Sequence, residues 1–211
     1  MITKAVALGF NSVPTLLGRV AFGNFRHFEQ ADVTVLADVQ GGKDLVPITI
    51  KAPHNMSLQD ISEFINSKAK NAKKGNDKEH KNNTQAFEFL PSFLTGPLMG
   101  TMVYITQNLG WSVPVMKLKG DSMAPIVITN VGSLGLEAGY APLPPSACNV
   151  CMCVGKIIEK PVVKDGEIKI RKMMTIVHTL DHRVGDASLT VKPFKMIHEF
   201  IENPEKMDSL E

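Results

Sequence analysis

Thr179-Leu180-Asp181-His182-Arg183-Val184-Gly185-Asp186-Ala187 decides the reading of this chain. The segment follows a β-rich stretch and precedes a helical pattern, so it sets an imidazole and a carboxylate four residues apart on a strand-to-helix turn. Histidine titrates near neutrality, with an unperturbed pKa of about 6.5, and a rigidly held His182 can take a proton from an alcohol or thiol and return it. Spacing alone leaves a second reading open, in which His182 is a hydrogen-bonded strand-end residue and Asp186 a helix N-cap.

Working outward, the segment 186–203 carries Phe194, Ile197, Phe200 and Ile201 on one helical face, closed by Asn203-Pro204. Pro193 would interrupt a helix starting at Asp186, so the pattern predicts a start near residue 192 or a kink. Upstream, strands are predicted over Ile126–Val131, Cys148–Ile158 and Ile168–His178, with Asp165-Gly166 as a hairpin turn. Nearer the N-terminus, residues 2–13 read as a helix closed by Pro14. Ala31–Asp38 is a strand with Val33, Val35 and Ala37 on one side, and Gly41-Gly42 turns the chain into a second strand from Val46 to Lys51. A helix from the N-cap Ser57 to Gly75 presents Leu58, Ile61, Phe64, Ile65, Ala69 and Ala72.

Two segments stand apart. Residues 73–85 are too polar to offset the entropy of ordering and read as a mobile surface loop. Phe89 to Met116, by contrast, contains no charged side chain. Its length would permit a membrane span, but Pro91, Gly96, Pro97 and Gly100 divide it. The expectation is an apolar helical insertion over 86–116, made of broken helices packed on the domain or on a neighbouring subunit.

The chain has 211 residues, 44% of them hydrophobic, enough for a full core and for one domain over 1–211. With 23 basic and 21 acidic side chains, there is no electrostatic case for nucleic acid. Three cysteines, Cys148, Cys151 and Cys153, fit a reducing compartment better than a disulfide scaffold. On a strand Cys151 and Cys153 would share one face and Cys148 the other, so a zinc cage would need His178 or His182, and buried thiols are the preferred reading. No secretory signal or transit peptide is legible at Met1.

The order of Val127-Ile128-Thr129-Asn130-Val131-Gly132, Pro144-Pro145, Lys160-Pro161-Val162-Val163 and Asp181-His182-Arg183 resembles one family. It is the catalytic domain of dihydrolipoamide acyltransferases of 2-oxo-acid dehydrogenase complexes, related to chloramphenicol acetyltransferase. Lys4–Leu8 with Val13-Pro14, and Leu45-Val46-Pro47, extend the likeness upstream, and the stretch from about 76 to 125 fits least. The family's domain begins with a strand and helix ahead of the part matched by Lys4–Pro14, and those elements carry an arginine near the active site.

The resemblance implies a two-layer α/β fold with a mixed, largely antiparallel sheet flanked by helices. It also implies acyl transfer between coenzyme A and a dihydrolipoamide-type thiol. His182 would be the general base, Asp186 an orienting carboxylate, and Thr129, 53 residues before His182, the hydroxyl donor to the oxyanion. Asp38, Asn130 and Arg183 are the matching candidates for substrate binding. Coenzyme A enters as substrate, the lipoyl group comes on another protein, and no metal is required. The assembly implied is a homotrimer with its site between subunits, or a larger cage of trimers, alongside other dehydrogenase-complex subunits and without a membrane. The location implied is intracellular, a mitochondrial matrix or bacterial cytoplasm. A catalytically inactive assembly subunit and a small-molecule O-acetyltransferase are the alternatives. The first is prompted by the family's N-terminal strand and helix, with their arginine, having no match in this sequence, and by Ala187, which stands where the family has glycine.

Overall fold

The structure is a computed structural model that describes residues 1–38, 45–73, 92–114, 118–144 and 147–207, the side chains of Ser92 and Leu94 excepted. The apolar face of the first segment forms α1 (Ile2–Asn11), and Pro14 opens a short 3₁₀ turn after it. A tight hairpin then pairs β1 (Gly18–Ala21) with β2 (Asn24–His27). Sequence reading missed this hairpin because its turn is Phe22-Gly23, both at positive φ, and phenylalanine carries no turn signal.

Strands β3 (Val33–Asp38) and β4 (Leu45–Ile50) pair antiparallel as expected, although residues 39–44 between them lie outside the described residues. Helix α2 (Leu58–Lys73) is started by a reciprocal cap. The Asp60 amide donates to Ser57 Oγ at 3.0 Å and the Ser57 amide to Asp60 Oδ2 at 3.4 Å. The expected stop at Gly75 and nearly all of the polar loop over 73–85 fall outside the described residues.

The uncharged run differs from expectation. Rather than short broken helices, its described residues form one helix, α3 (Ser92–Val103), which passes through Pro97 and ends in a π-helical turn at Tyr104–Asn108. Pro97 lies inside the helix, where its missing N–H forfeits one backbone bond and the helix continues. The π turn seats its end near β1, with the Phe22 and Tyr104 rings edge to face at 5.1 Å, while Phe93 stays 76% exposed. Among the described residues no helix is long and apolar enough to cross a membrane.

The remaining strands are β5 (Ile126–Asn130), β6 (Val150–Val154), β7 (Ile158–Lys164), β8 (Glu167–Met173) and β9 (Ile176–Leu180). The two long strands expected at Cys148–Ile158 and Ile168–His178 are each divided. Their outer parts form the separate β7–β8 hairpin, and their inner parts join the main sheet. Gly155 marks the break, because a Cβ there would lie 1.8 Å from the Glu137 carbonyl oxygen of the crossing loop. The Asp165-Gly166 turn is as expected, with both residues at positive φ.

The main sheet runs β4-β3-β5-β6-β9 and is mixed: β5 is parallel to β3 and β6, while β4 and β9 are antiparallel edges. One face, carrying Val33, Ile126, Ile128, Val150 and Met152, packs on α1 and the closing helix α4 (Ala187–Glu202). Pro193 lies inside α4, so the predicted late start is not observed. The buried Pro193, Ile197 and Phe200 hold the segment helical through packing that outweighs the lost backbone bond. The opposite face carries Thr34, Leu36, Val127, Thr129, Cys151 and Cys153, and is covered in part by Met123, Ala141 and Leu143.

Candidate active site

The turn that bears His182 is pinned at both ends. After β9 the Asp181 amide donates to the Asn149 carbonyl at 2.9 Å, and the Val184 amide closes back on the Asp181 carbonyl at 2.9 Å. Arg183 forks onto the same carboxylate, its Nη2 donating to Asp181 Oδ2 at 2.6 Å and its Nε to Oδ1 at 2.9 Å. The Arg183 hydrogen bonds hold the Asp181 carboxyl, only 10% exposed, below the usual carboxylate range. Arg183 is therefore committed to Asp181, a residue the sequence reading left without a role, rather than to Asp186.

The sign of this linkage gives a test. A carboxylate whose folded pKa is depressed contributes stability above its unfolded pKa of about 3.9, and loses it as pH falls through the folded value. Asp181→Asn should therefore lower the denaturation midpoint at pH 7, by an amount that shrinks as pH falls below the unfolded pKa. Equal midpoints for the two proteins at pH 7 would contradict the assignment.

His182 itself stands out from the surface, 76% exposed, with Nδ1 3.3 Å from Asp186 Oδ1. Asp186 is the cap residue of α4, with extended φ and ψ and no side-chain cap bond, so its carboxylate remains available to the imidazole. An Nδ1–H directed at this carboxylate leaves Nε2 as the proton-accepting nitrogen. Ala187 is the first residue of α4 and is not among the positive-φ residues, so alanine is unstrained there.

Thr129 lies elsewhere in the chain. Leu180 is level with Val150 and, through it, Ile126, whereas Thr129 is three residues further along β5 and two strands away. At about 3.3 Å per residue and about 4.8 Å per strand, that separation is roughly 14 Å before the two residues from Leu180 to His182 are added. One chain thus brings His182 and Asp186 together and leaves Thr129 at the opposite end of the sheet, on its non-helical face. Asp38 is on that face too, half-buried at the end of β3. Asn130, beside Thr129, uses its Oδ1 to accept from the Ser133 amide at 3.2 Å, capping a 3₁₀ turn.

Cys148 precedes β6 instead of lying on it, and so clusters with Cys151 and Val127 rather than facing away. Burial pushes the Cys148 thiol up to about 12 and the Cys151 thiol up to about 11. Both should resist alkylation by iodoacetamide at pH 8 in the native protein and react once it is unfolded, read by mass spectrometry; rapid native labelling would contradict their burial. Among the described residues no group of three or more His, Cys, Asp or Glu could hold a metal.

The sequence reading also missed Arg19, fully buried and bonded to Asp121. A surface cavity of about 260 Å³ nearby, lined by Arg26, Phe28, Gln30, Lys51 and Asp121, contains none of the six predicted residues. Lys51 pairs with Asp32 at 2.6 Å and Arg26 with Asp121 at 2.6 Å, and the wall also carries Glu29.

Both the C-terminal sequence and the fold of the chain have known relatives. Residues 116–208 match the model of the 2-oxoacid dehydrogenases acyltransferase catalytic domain. The chain is 32% identical over 91 residues to a dihydrolipoyllysine-residue acetyltransferase component of pyruvate dehydrogenase complex from Staphylococcus aureus (strain Mu50 / ATCC 700699). That match covers 42% of this chain and 21%, about a fifth, of the relative. In fold, the chain superimposes on a probable dihydrolipoamide acetyltransferase from Listeria monocytogenes 4b F2365 with a TM-score of 0.68 at 19% identity, over 95% of this chain and 68% of the other. The dihydrolipoamide acetyltransferase of Azotobacter vinelandii gives a TM-score of 0.67 at 15% identity, over 98% and 68%. By sequence in its C-terminal part, and by fold over nearly its whole length, the chain resembles the catalytic domain of the 2-oxoacid dehydrogenase acyltransferases.

Proposed function

We propose that this protein transfers an acyl group between coenzyme A and a dihydrolipoamide-type thiol, at a site assembled between subunits of a homotrimer. The observation that supports the reading is the His182–Asp186 pair, exposed and 3.3 Å apart, on a turn that lies within the stretch matched by the family model. In the Azotobacter vinelandii enzyme the residues investigated for a catalytic role are a serine, a histidine and an asparagine four residues after that histidine. His182 and Asp186 have that four-residue spacing, and Thr129 supplies a hydroxyl in place of the serine.

In the proposed step, Nε2 of His182 takes the proton of the acceptor thiol, and the thiolate attacks the thioester carbonyl. The oxyanion of the tetrahedral adduct accepts a hydrogen bond from Thr129 Oγ1. Collapse breaks the carbon–sulfur bond to the departing thiolate, which receives the proton back from His182. The lipoyl group arrives on another protein. Coenzyme A is a substrate, and the step needs no metal.

The wide separation of His182 and Thr129 within one chain supports a site shared by two copies. In a cyclic trimer, each site would take its histidine from one subunit and its hydroxyl from the next. This is tested by complementation. His182→Ala and Thr129→Ala subunits, each nearly inactive alone, form mixed trimers with one intact site in three, and activity should return to about a third of wild type or less. No recovery in trimers shown to be mixed would overturn the shared site.

A further inference from the structure

The His182 turn is anchored through a residue that the proposed chemistry does not use. Asn149 is 0% exposed and stands immediately before β6. Its amide donates to the Pro125 carbonyl at 2.8 Å, its carbonyl accepts from the Asp181 amide at 2.9 Å, and its side-chain Nδ2 donates to the Leu16 carbonyl at 2.7 Å. One asparagine therefore links three segments distant in sequence: the turn after α1, the lead-in to β5, and the residue next to His182.

The Leu16 end of this link also reaches the turn. Leu16 is fully buried, and a Cβ built on Gly185 would lie 3.0 Å from Leu16 Cδ2 and 3.0 Å from Leu189 Cδ1. Gly185 sits between His182 and Asp186, so the Leu16 side chain supports the floor of the turn while Asn149 holds the Leu16 backbone. Among the described residues Asn149 Oδ1 is buried without a hydrogen-bond partner. A buried unpaired acceptor is a cost that an apolar residue would avoid, and the bond that its Nδ2 makes to the Leu16 carbonyl offsets it.

We propose that Asn149 is a positioning residue for the acyl-transfer reaction, fixing Leu16 and Asp181 so that the His182–Asp186 turn is held in its reactive geometry. The inference rests on the reading of His182 as general base. A loosened turn would spend less time with Nε2 aligned on the thiol, which lowers the rate of the chemical step and leaves carrier binding intact.

The test is the Asn149→Leu variant, which keeps the branched shape of the side chain and removes the donor, assayed for acyl transfer from acetyl-CoA to dihydrolipoamide beside wild type and His182→Ala. The expected result is a kcat at least tenfold lower, a KM for acetyl-CoA within twofold of wild type, and broadened His182 imidazole resonances in ¹⁵N-histidine-labelled protein. Gly185→Ala presses on the same floor from the other side and should show the same kcat-selective loss, which keeps the test decisive if Asn149→Leu fails to fold. Unchanged kcat and an unchanged His182 signal in folded Asn149→Leu would overturn the proposal. If His182→Ala itself retained full activity, the general-base reading would fail, and the positioning role with it.

Discussion

Replacing His182 by alanine is expected to lower acyl transfer from acetyl-CoA to dihydrolipoamide by at least about a hundredfold, while leaving the fold intact. A thiol of pKa about 8.5 facing an imidazole of about 6.5 makes proton transfer uphill by roughly 2 units, or about 2.7 kcal/mol, within reach of a positioned histidine. Without the imidazole the thiol must ionise unaided into a site that no longer holds its proton. His182 is largely exposed and its side chain makes one ion-pair contact, with Asp186, so stability should change little. The measurement is a steady-state assay beside a thermal melt. Full activity in a folded His182→Ala protein would refute the mechanism.

The largest effect on stability is expected from Arg19→Met. The Arg19 guanidinium donates to the Gln107 carbonyl at 2.9 Å, the Met123 carbonyl at 3.1 Å and the Ala147 carbonyl at 3.3 Å, and pairs with Asp121. Its Cζ also lies 5.1 Å from the centroid of the Phe28 ring. Burial lowers the Arg19 pKa and Asp121 opposes the change, so the buried charge is kept by its partner. Methionine would fill the space but strand three carbonyls and leave Asp121 with Arg26 alone. Breaking one side of such a buried pair costs about 3–5 kcal/mol, which for a chain of this size lowers the melting temperature by roughly 10 °C. A drop of less than about 2 °C would show that the cluster contributes little.

The elements most legible in the sequence were those whose periodicity matched their burial. Helix α1, strands β3 and β4, the Ser57 cap and the Asp165-Gly166 turn follow from local pattern and local chemistry. The division of the two long β runs was illegible because its cause is a carbonyl of a distant loop, Glu137, pressed against Gly155. The helix through Pro193 was missed for a related reason, since packing of α4 on α1 and the sheet holds a segment that propensity would interrupt.

For the site, sequence spacing singled out His182 and Asp186, and the structure brings them into contact. Two of the remaining candidates are occupied locally, Arg183 by Asp181 and Asn130 by Ser133. Asn149 and Arg19 gave no signal, because a buried asparagine or arginine is recognisable only by partners that are remote in the chain.

What the sequence determined by itself was the local order: which segments are helices and strands, where several of them turn, and that a histidine and a carboxylate four residues apart share one turn. These depend on side-chain period, caps and backbone preference within a few residues. Only the tertiary structure decided that Thr129 and His182 lie at opposite ends of the sheet in a single chain. Strand order and register set that distance, through the pairing of Ile126 with Val150 and of Val150 with Leu180, and no local pattern encodes them.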